Sequence, residues 1–361
     1  MLKPREALRS VPAYHPPLAG RSGLRLDFNE NTVGCSPRVL ERLRQITAEE
    51  LARYPERHGA EEALANFLRV TAEELLLTNG VDEAIHLLCQ SYLGFGDEAL
   101  IVVPTYSMYR IYMSAAGAKV TEIPSGRDFV FPIESVLKSV TGRTRLVAIA
   151  NPNNPTGVLV SHTELTQVAS HAPSAAVLVD EAYFEFSRQT SLGLLKERDN
   201  LFVARTFSKA YGLAGLRLGA LIGRREQMAS VRLACSPYNV NAMALLCLPA
   251  ALDDAEYVQQ YVGEVLQSRG RLEEFLQSRG VEFWPSQANF VLLRVGSAKS
   301  DSVAFAESMR RQGILVRDRS ADYGCEGCVR ITLGPREHTD RLLKALQQTL
   351  EELSIQQGVA R

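Results

Sequence analysis

Between residues 75 and 206 the chain repeats one pattern, a short apolar run followed by a stretch with helical spacing. The runs are Leu75–Thr78, 99–103, 119–123, 145–150, Ala176–Asp180 and 201–205; helical spacing fills 81–93 and 106–116. Short runs rich in Val, Ile and Leu, without polar alternation, suit strands buried on both faces. Helices between such strands make crossover connections. The expected fold is therefore α/β, with a mostly parallel central sheet flanked by helices. Past residue 240 the pattern changes. Helical spacing dominates 241–280, with Gly280 placed to cap it, and apolar runs follow at 289–294, 314–316 and 328–333. Leu342, Leu343, Leu346, Leu350 and Leu353 make one apolar stripe on a final helix. This part is read as a smaller α+β domain. The proline-rich first 30 residues are read as an extended arm. The expected division is 1–35 for that arm and part of the small domain, 36–240 for the large domain, and 241–361 for the small C-terminal domain.

Composition excludes several functions. With 361 residues and 46% apolar content the chain needs neither disulfide nor metal to build a core. Its 40 basic against 41 acidic residues leave a net charge of -1. That balance argues against bulk electrostatic binding of nucleic acid or anionic membrane. The apolar stretch 242–252 is too short to span a bilayer and is interrupted by Pro249. No apolar leader opens the sequence, so a cytoplasmic location is expected. Six scattered cysteines read as reduced thiols. Cys325 and Cys328 form a lone C-x-x-C without a second pair or a nearby His, and the six histidines show no ligand spacing, so no metal is expected.

Three polar clusters each follow a central apolar run: Asn151–Gly157, Asp180–Tyr183 and Thr206–Arg217. In open parallel sheets, ligands bind beyond the carboxyl ends of the strands. Asn154, Asp180, Tyr183, Lys209 and Arg217 can therefore converge although distant in sequence. Neither G-x-G-x-x-G nor G-x-x-x-x-G-K-[ST] is present, so dinucleotide and P-loop readings lack their anchors. A lysine flanked by hydroxyls, an arginine eight residues on, and an aspartate at a strand end suit a phosphorylated aromatic aldehyde. Lys209 would form the Schiff base, Asp180 would face a pyridinium nitrogen, and Arg217, Thr206 and Ser208 would hold the phosphate. This is the chemistry of pyridoxal 5'-phosphate.

The sequence resembles the class I/II, fold-type I pyridoxal-phosphate aminotransferases, and among them the histidinol-phosphate aminotransferases. The resemblance rests on Pro12-x-Tyr14, Asp27–Asn31, Arg53-Tyr54-Pro55, Thr78–Glu83, Pro104–Tyr109, Asn151–Gly157, Val179–Tyr183, Arg205–Arg217, Pro285–Phe290, Gly313–Asp318 and Val329–Gly334. It implies that Lys209 holds the cofactor and shuttles a proton, and that Asp180 keeps the ring nitrogen protonated. It implies that Asn154 and Tyr183 hydrogen-bond the phenolic oxygen and that Tyr106 stacks on the ring. Gly80, Val81 and Asp82, opening a helix, offer N–H groups to the phosphate beside Arg217. Tyr54 would reach the phosphate of a second subunit, which implies a homodimer with shared active sites. Arg330 would bind the substrate's anion, with Tyr14, Arg317 and Asn31 as further substrate contacts.

One segment departs from the family pattern: Asn31 is followed by Thr32-Val33-Gly34-Cys35 rather than by Pro, a variable residue and Gly. In the family that segment lines the substrate's side of the site, so the resemblance implies that the departure bears on side-chain specificity and not on the cofactor. The expected reaction is transamination between histidinol phosphate and 2-oxoglutarate, yielding imidazole acetol phosphate and glutamate. An aromatic amino acid aminotransferase and a decarboxylase of a phosphorylated amino acid are the alternatives.

Overall fold

The computed structural model describes residues 2–3, 5–9, 11, 13 and 20–359, with side chains as far as Leu353. Seven strands form the central sheet, in the order Leu75–Thr78, Gly219–Gly223, Leu201–Thr206, Ala176–Asp180, Thr144–Ala150, Glu98–Val103 and Lys119–Pro124. Gly219–Gly223 runs antiparallel to both neighbours; every other adjacent pair is parallel. The apolar runs are buried as their composition requires: all five residues of Ala176–Asp180 and all six of Leu201–Thr206 are inside. Each fully buried leucine or valine side chain removes area worth roughly 1.5–3 kcal/mol.

The sequence pattern does not reveal the strand Gly219–Gly223. Its short Ala-Leu-Ile core lies between glycines, which read as turn residues. The structure shows what Gly219 does. A Cβ there would stand 2.7 Å from the carbonyl carbon of Gly80. The missing side chain lets the strand press against the start of helix Gly80–Tyr92, and so sets Arg217 beside that helix start.

Beyond the central sheet, Arg317–Asp318, Cys328–Thr332, Phe290–Arg294 and Glu282–Trp284 form an antiparallel sheet in that order. Leu24–Arg25 pairs in parallel with Ile314–Leu315, tying the N-terminal segment to this late part of the chain. Among the described residues the segment also holds a 3-10 turn, Glu6–Leu8, where an extended arm was expected. The helical span 241–280 is two helices, Ala242–Leu252 and Ala255–Ser278, broken at Asp253–Asp254. Pro249 does not interrupt the first of them; it sits inside the helix, which Asn241 caps by accepting from the N–H of Ala244. Gly280, at φ +64°, ends the second: the N–H of Val281 returns to the carbonyl of Leu276. No described helix is long and apolar enough to cross a membrane.

Candidate active site

The central strands end in a cleft of about 560 Å³, within the range of small-molecule sites. Asp180 is the last residue of its strand, and Thr206 of the next. Asn154 lies in the turn after Thr144–Ala150. The antiparallel sheet contributes Arg317, Arg319 and Arg330, and the N-terminal segment contributes Asp27, Phe28, Asn29 and Glu30. Topology thus brings together Val81, Asp82, Tyr106, Asn154, Asp180, Tyr183, Thr206, Ser208, Lys209, Arg217, Arg317 and Arg330, as the sequence anticipates.

One end of the cleft is built for an anion. Arg217 has left-handed backbone geometry at φ +55°, and its guanidinium passes 2.7 Å from where a Cβ of Gly80 would stand. Gly80, itself at φ +76°, is therefore the residue that makes room for it. Arg217 donates to Asp82 Oδ2 at 3.1 Å, and Tyr106 donates to Asp82 Oδ1 at 2.8 Å. The Asp82 side chain thus ties the arginine to the aromatic wall. Thr206 donates to Ser208 Oγ at 3.0 Å, fixing the two hydroxyls side by side.

The floor is a buried carboxylate. Asp180 Oδ2 accepts from Tyr109 at 2.5 Å, and Oδ1 accepts from the N–H of Ala182 at 3.0 Å. Burial pushes the Asp180 carboxyl up to about 6, against the pull of these two donors. Behind it, the buried pair Glu181–Arg205 at 2.8 Å braces the strand ends, with Arg205 lying over the Phe184 ring. Lys209 donates to the carbonyl of Phe28 at 3.1 Å and has no carboxylate within ion-pair distance among the described residues. Burial, and then the charges of Arg330 and Arg217, bring its ammonium down to about 8.

Arg330 is buried and bound only to neutral acceptors, Asn154 Oδ1 at 2.5 Å and the Asp27 carbonyl at 2.7 Å. Burial lowers its pKa to about 9. Arg317 lies 5.2 Å from the Phe28 ring centre. Tyr183 accepts from Asn29 Nδ2 at 2.9 Å.

Not every anticipated residue lines the cleft. Tyr54 lies outside it, 76% exposed and stacked on Tyr238 at 4.2 Å. Asn31 spends its side chain on the backbone, donating to the carbonyl of Ala210 and accepting from the N–H groups of Val33 and Gly34. It braces the loop that carries Lys209. Tyr14 lies outside the described residues, as does Pro12. The unusual segment after Asn31 packs against the same loop, since a Cβ on Gly212 would meet the Gly34 carbonyl carbon at 2.6 Å. Cys325 and Cys328 are free and buried beside Phe129 and Trp284, and no metal-binding cluster occurs among the described residues.

Among the cleft residues to which the sequence assigns no role are Tyr109, Asn29 and Arg319, and Asp82 is anticipated for its N–H group but not for its side chain. Tyr109 follows Tyr106 by three residues, one turn of helix, which was the available signal.

The arrangement can hold a flat aromatic group that is anionic at one end and basic at its ring. The anion meets Arg217 and two hydroxyls, the ring base meets Asp180, and Lys209 supplies an amine that is largely neutral above pH 8. Pyridoxal phosphate fits this set. A model of the class I and II aminotransferases matches residues 21–346. The chain is 35% identical over 367 residues to the histidinol-phosphate aminotransferase of Geobacillus sp. (strain WCH70), covering 96% of this chain and 97% of that one. The crystal structure of histidinol-phosphate aminotransferase from Sinorhizobium meliloti in complex with pyridoxal-5'-phosphate superposes with a TM-score of 0.87 at 25% identity. That match covers 98% of this chain and 99% of the other. L-threonine-O-3-phosphate decarboxylase from Porphyromonas gingivalis, at 24% identity and a TM-score of 0.76, covers 91% of this chain and 99% of its own and shares the fold alone. Matched along nearly its whole folded length rather than at isolated motifs, the chain belongs to the class I and II aminotransferases and depends, with that family, on pyridoxal phosphate.

Proposed function

We propose that the chain transfers the amino group of histidinol phosphate to 2-oxoglutarate, giving imidazole acetol phosphate and glutamate. The observation that carries this reading is Arg330: buried, bound only to neutral acceptors, and open to an anion that the substrate must bring. The names of the relatives favour a phosphate ester as that anion. When bound, pyridoxal phosphate supplies an aldehyde that exchanges amino groups and a cationic ring that takes up an electron pair. Lys209 would hold the cofactor, and its amine would move the proton at the substrate Cα. Asp180 keeps the ring nitrogen protonated. Asn154, Tyr183 and Tyr106 would hold the ring, and Arg217, Thr206, Ser208 and the N–H groups around Val81 and Asp82 would hold the phosphate. Arg330 and Arg317 seat the substrate's anion.

A site with fixed cations for a dianion discriminates against a substrate lacking it, because a buried cation left unpaired is costly. The ratio of kcat/KM for histidinol phosphate over phenylalanine should exceed about 10², equivalent to about 2.7 kcal/mol. A ratio near one would discard the histidinol-phosphate reading and leave an aromatic aminotransferase. Release of CO₂ from a phosphorylated amino acid would favour the decarboxylase.

We also propose a homodimer in which Tyr54 serves the partner's cofactor phosphate. The exposed stack of Tyr54 on Tyr238 is apolar surface that a second copy would cover. Heterodimers of Lys209→Ala and Tyr54→Phe chains would carry both lesions in one site and none in the other. Equal mixing with exchange of subunits should restore about a quarter of wild-type sites, by the statistics of a two-fold dimer. Activity no greater than the mean of the two parents would refute the shared site.

A further inference from the structure

We propose that Arg319 is a specificity-determining residue, completing with Arg317 and Arg330 a three-guanidinium subsite that takes a phosphate dianion in preference to a carboxylate. The inference rests on the phosphate-ester reading above and assigns it a residue that the sequence motifs pass over. Strand register places the three together. Arg317 pairs with Arg330 across the antiparallel ladder, and Asp318 pairs with Val329. The N–H of Arg319 then donates to the carbonyl of Cys328 at 2.9 Å, continuing the ladder. Side chains alternate along a strand, and cross-strand partners share a face. Arg317, Arg319 and Arg330 therefore stand on one face, and all three line the cleft with Lys209. The intervening Asp318 is on the other face, where its Oδ1 accepts from the N–H of Ser320.

The charges in this cluster do not balance. Arg319 is ion-paired with Asp322. Neither Arg317 nor Arg330 has a carboxylate within ion-pair distance among the described residues. The nearby Asp27 and Glu30 are both engaged by Arg21 at 2.8 Å, and Glu30 also pairs with Arg25 at 3.4 Å, so these two carboxylates are already balanced by two cations. Three cations thus face one carboxylate, an excess of two positive charges. The Nε atoms of Arg319 and Arg330 are buried without a hydrogen-bond partner among the described residues. Arg319 is also the charge that most lowers the pKa of Arg330. A carboxylate can be gripped by one guanidinium fork and leaves the second excess charge uncompensated. A phosphate monoester brings nearly two negative charges at neutral pH and three acceptor oxygens. It answers both the charge and the number of donors.

The test uses the holoenzyme and its Arg319→Gln and Arg319→Lys variants. Each is assayed with histidinol phosphate and with phenylalanine, and inorganic phosphate is titrated as a competitive inhibitor. Hydrogen bonds to charged groups set the expected size at about tenfold or more. Arg319→Gln should lower kcat/KM for histidinol phosphate by that factor, mainly through KM. It should cost phenylalanine clearly less and weaken phosphate inhibition in parallel. Arg319→Lys, which keeps the charge but not the fork, should recover much of the phosphate inhibition. Equal losses on both substrates with unchanged phosphate inhibition would overturn the assignment. A wild-type enzyme without preference for the phosphate ester would defeat the underlying reading instead. Phosphate inhibition that is insensitive to either variant would defeat the role of Arg319.

Discussion

Replacing Lys209 with Ala is expected to reduce kcat by at least about 10⁴, because under the proposed assignment one side chain supplies both the nucleophile that holds the cofactor and the base that moves the proton. Neither Arg217 nor Arg330 can substitute, since a guanidinium stays protonated at working pH. The surroundings of Lys209 also make the effect of pH explicit. Burial and the neighbouring cations bring its ammonium down to about 8 from the usual 10.5. Below pH 8 the group is mostly charged and cannot attack a carbonyl; above it the free amine dominates. Covalent capture of pyridoxal phosphate by the cofactor-free protein should therefore speed up about tenfold per pH unit below 8 and level off above it. Stopped-flow absorbance would follow the capture, and borohydride reduction with peptide mapping would locate the adduct. An adduct on another lysine would end the assignment, as would a Lys209→Ala variant retaining more than about a hundredth of wild-type kcat.

The parts legible in the sequence are those governed by local pattern. Ala176–Asp180 is marked by its apolar run, and the strand ends at 150, 180 and 206 are marked by abrupt changes to polar residues. Asn154, Asp180, Lys209 and Arg217 can be picked out because each sits at such a change, and parallel topology forces those ends to one side. What remained hidden depends on contacts distant in sequence. Tyr109 reaches Asp180 across 71 residues, and Asn29 reaches Tyr183 across 154. No periodicity encodes either. Asn31 shows the converse: a polar residue inside a recognisable motif turns out to hold backbone together, beside an Asn29 that lines the cleft. Arg319 was concealed for a third reason. Its neighbours Arg317 and Asp318 belong to a two-residue strand, too short for alternation to show which residue shares a face with Arg330.

Asp180→Asn should separate chemistry from binding. The carboxylate lies at the floor of the cleft, held by Tyr109 and the N–H of Ala182. An amide can keep its oxygen on the N–H of Ala182 and turn its N–H₂ to the Tyr109 hydroxyl, which then accepts. It carries no charge with which to stabilise a pyridinium. Removing one member of a buried ion pair costs about 3–5 kcal/mol. If that cost falls on the transition state, kcat drops by about 10² to 10⁴. Cofactor content should stay within a few fold of wild type, because Arg217, Thr206, Ser208 and Lys209 are untouched. The cofactor-free protein should respond oppositely. Burial raises the Asp180 carboxyl from 3.8 to about 6, so its contribution to stability is fully present below pH 3.8 and is lost as pH rises through 6. That difference corresponds to about 3 kcal/mol at most. Cofactor-free Asp180→Asn should therefore denature at higher urea than cofactor-free wild type at pH 8, and the gap should close toward pH 4. A variant within threefold of wild-type kcat would remove Asp180 from the chemistry, and a stability gap that widened toward pH 4 would show that its carboxyl is held below, not above, its ordinary range.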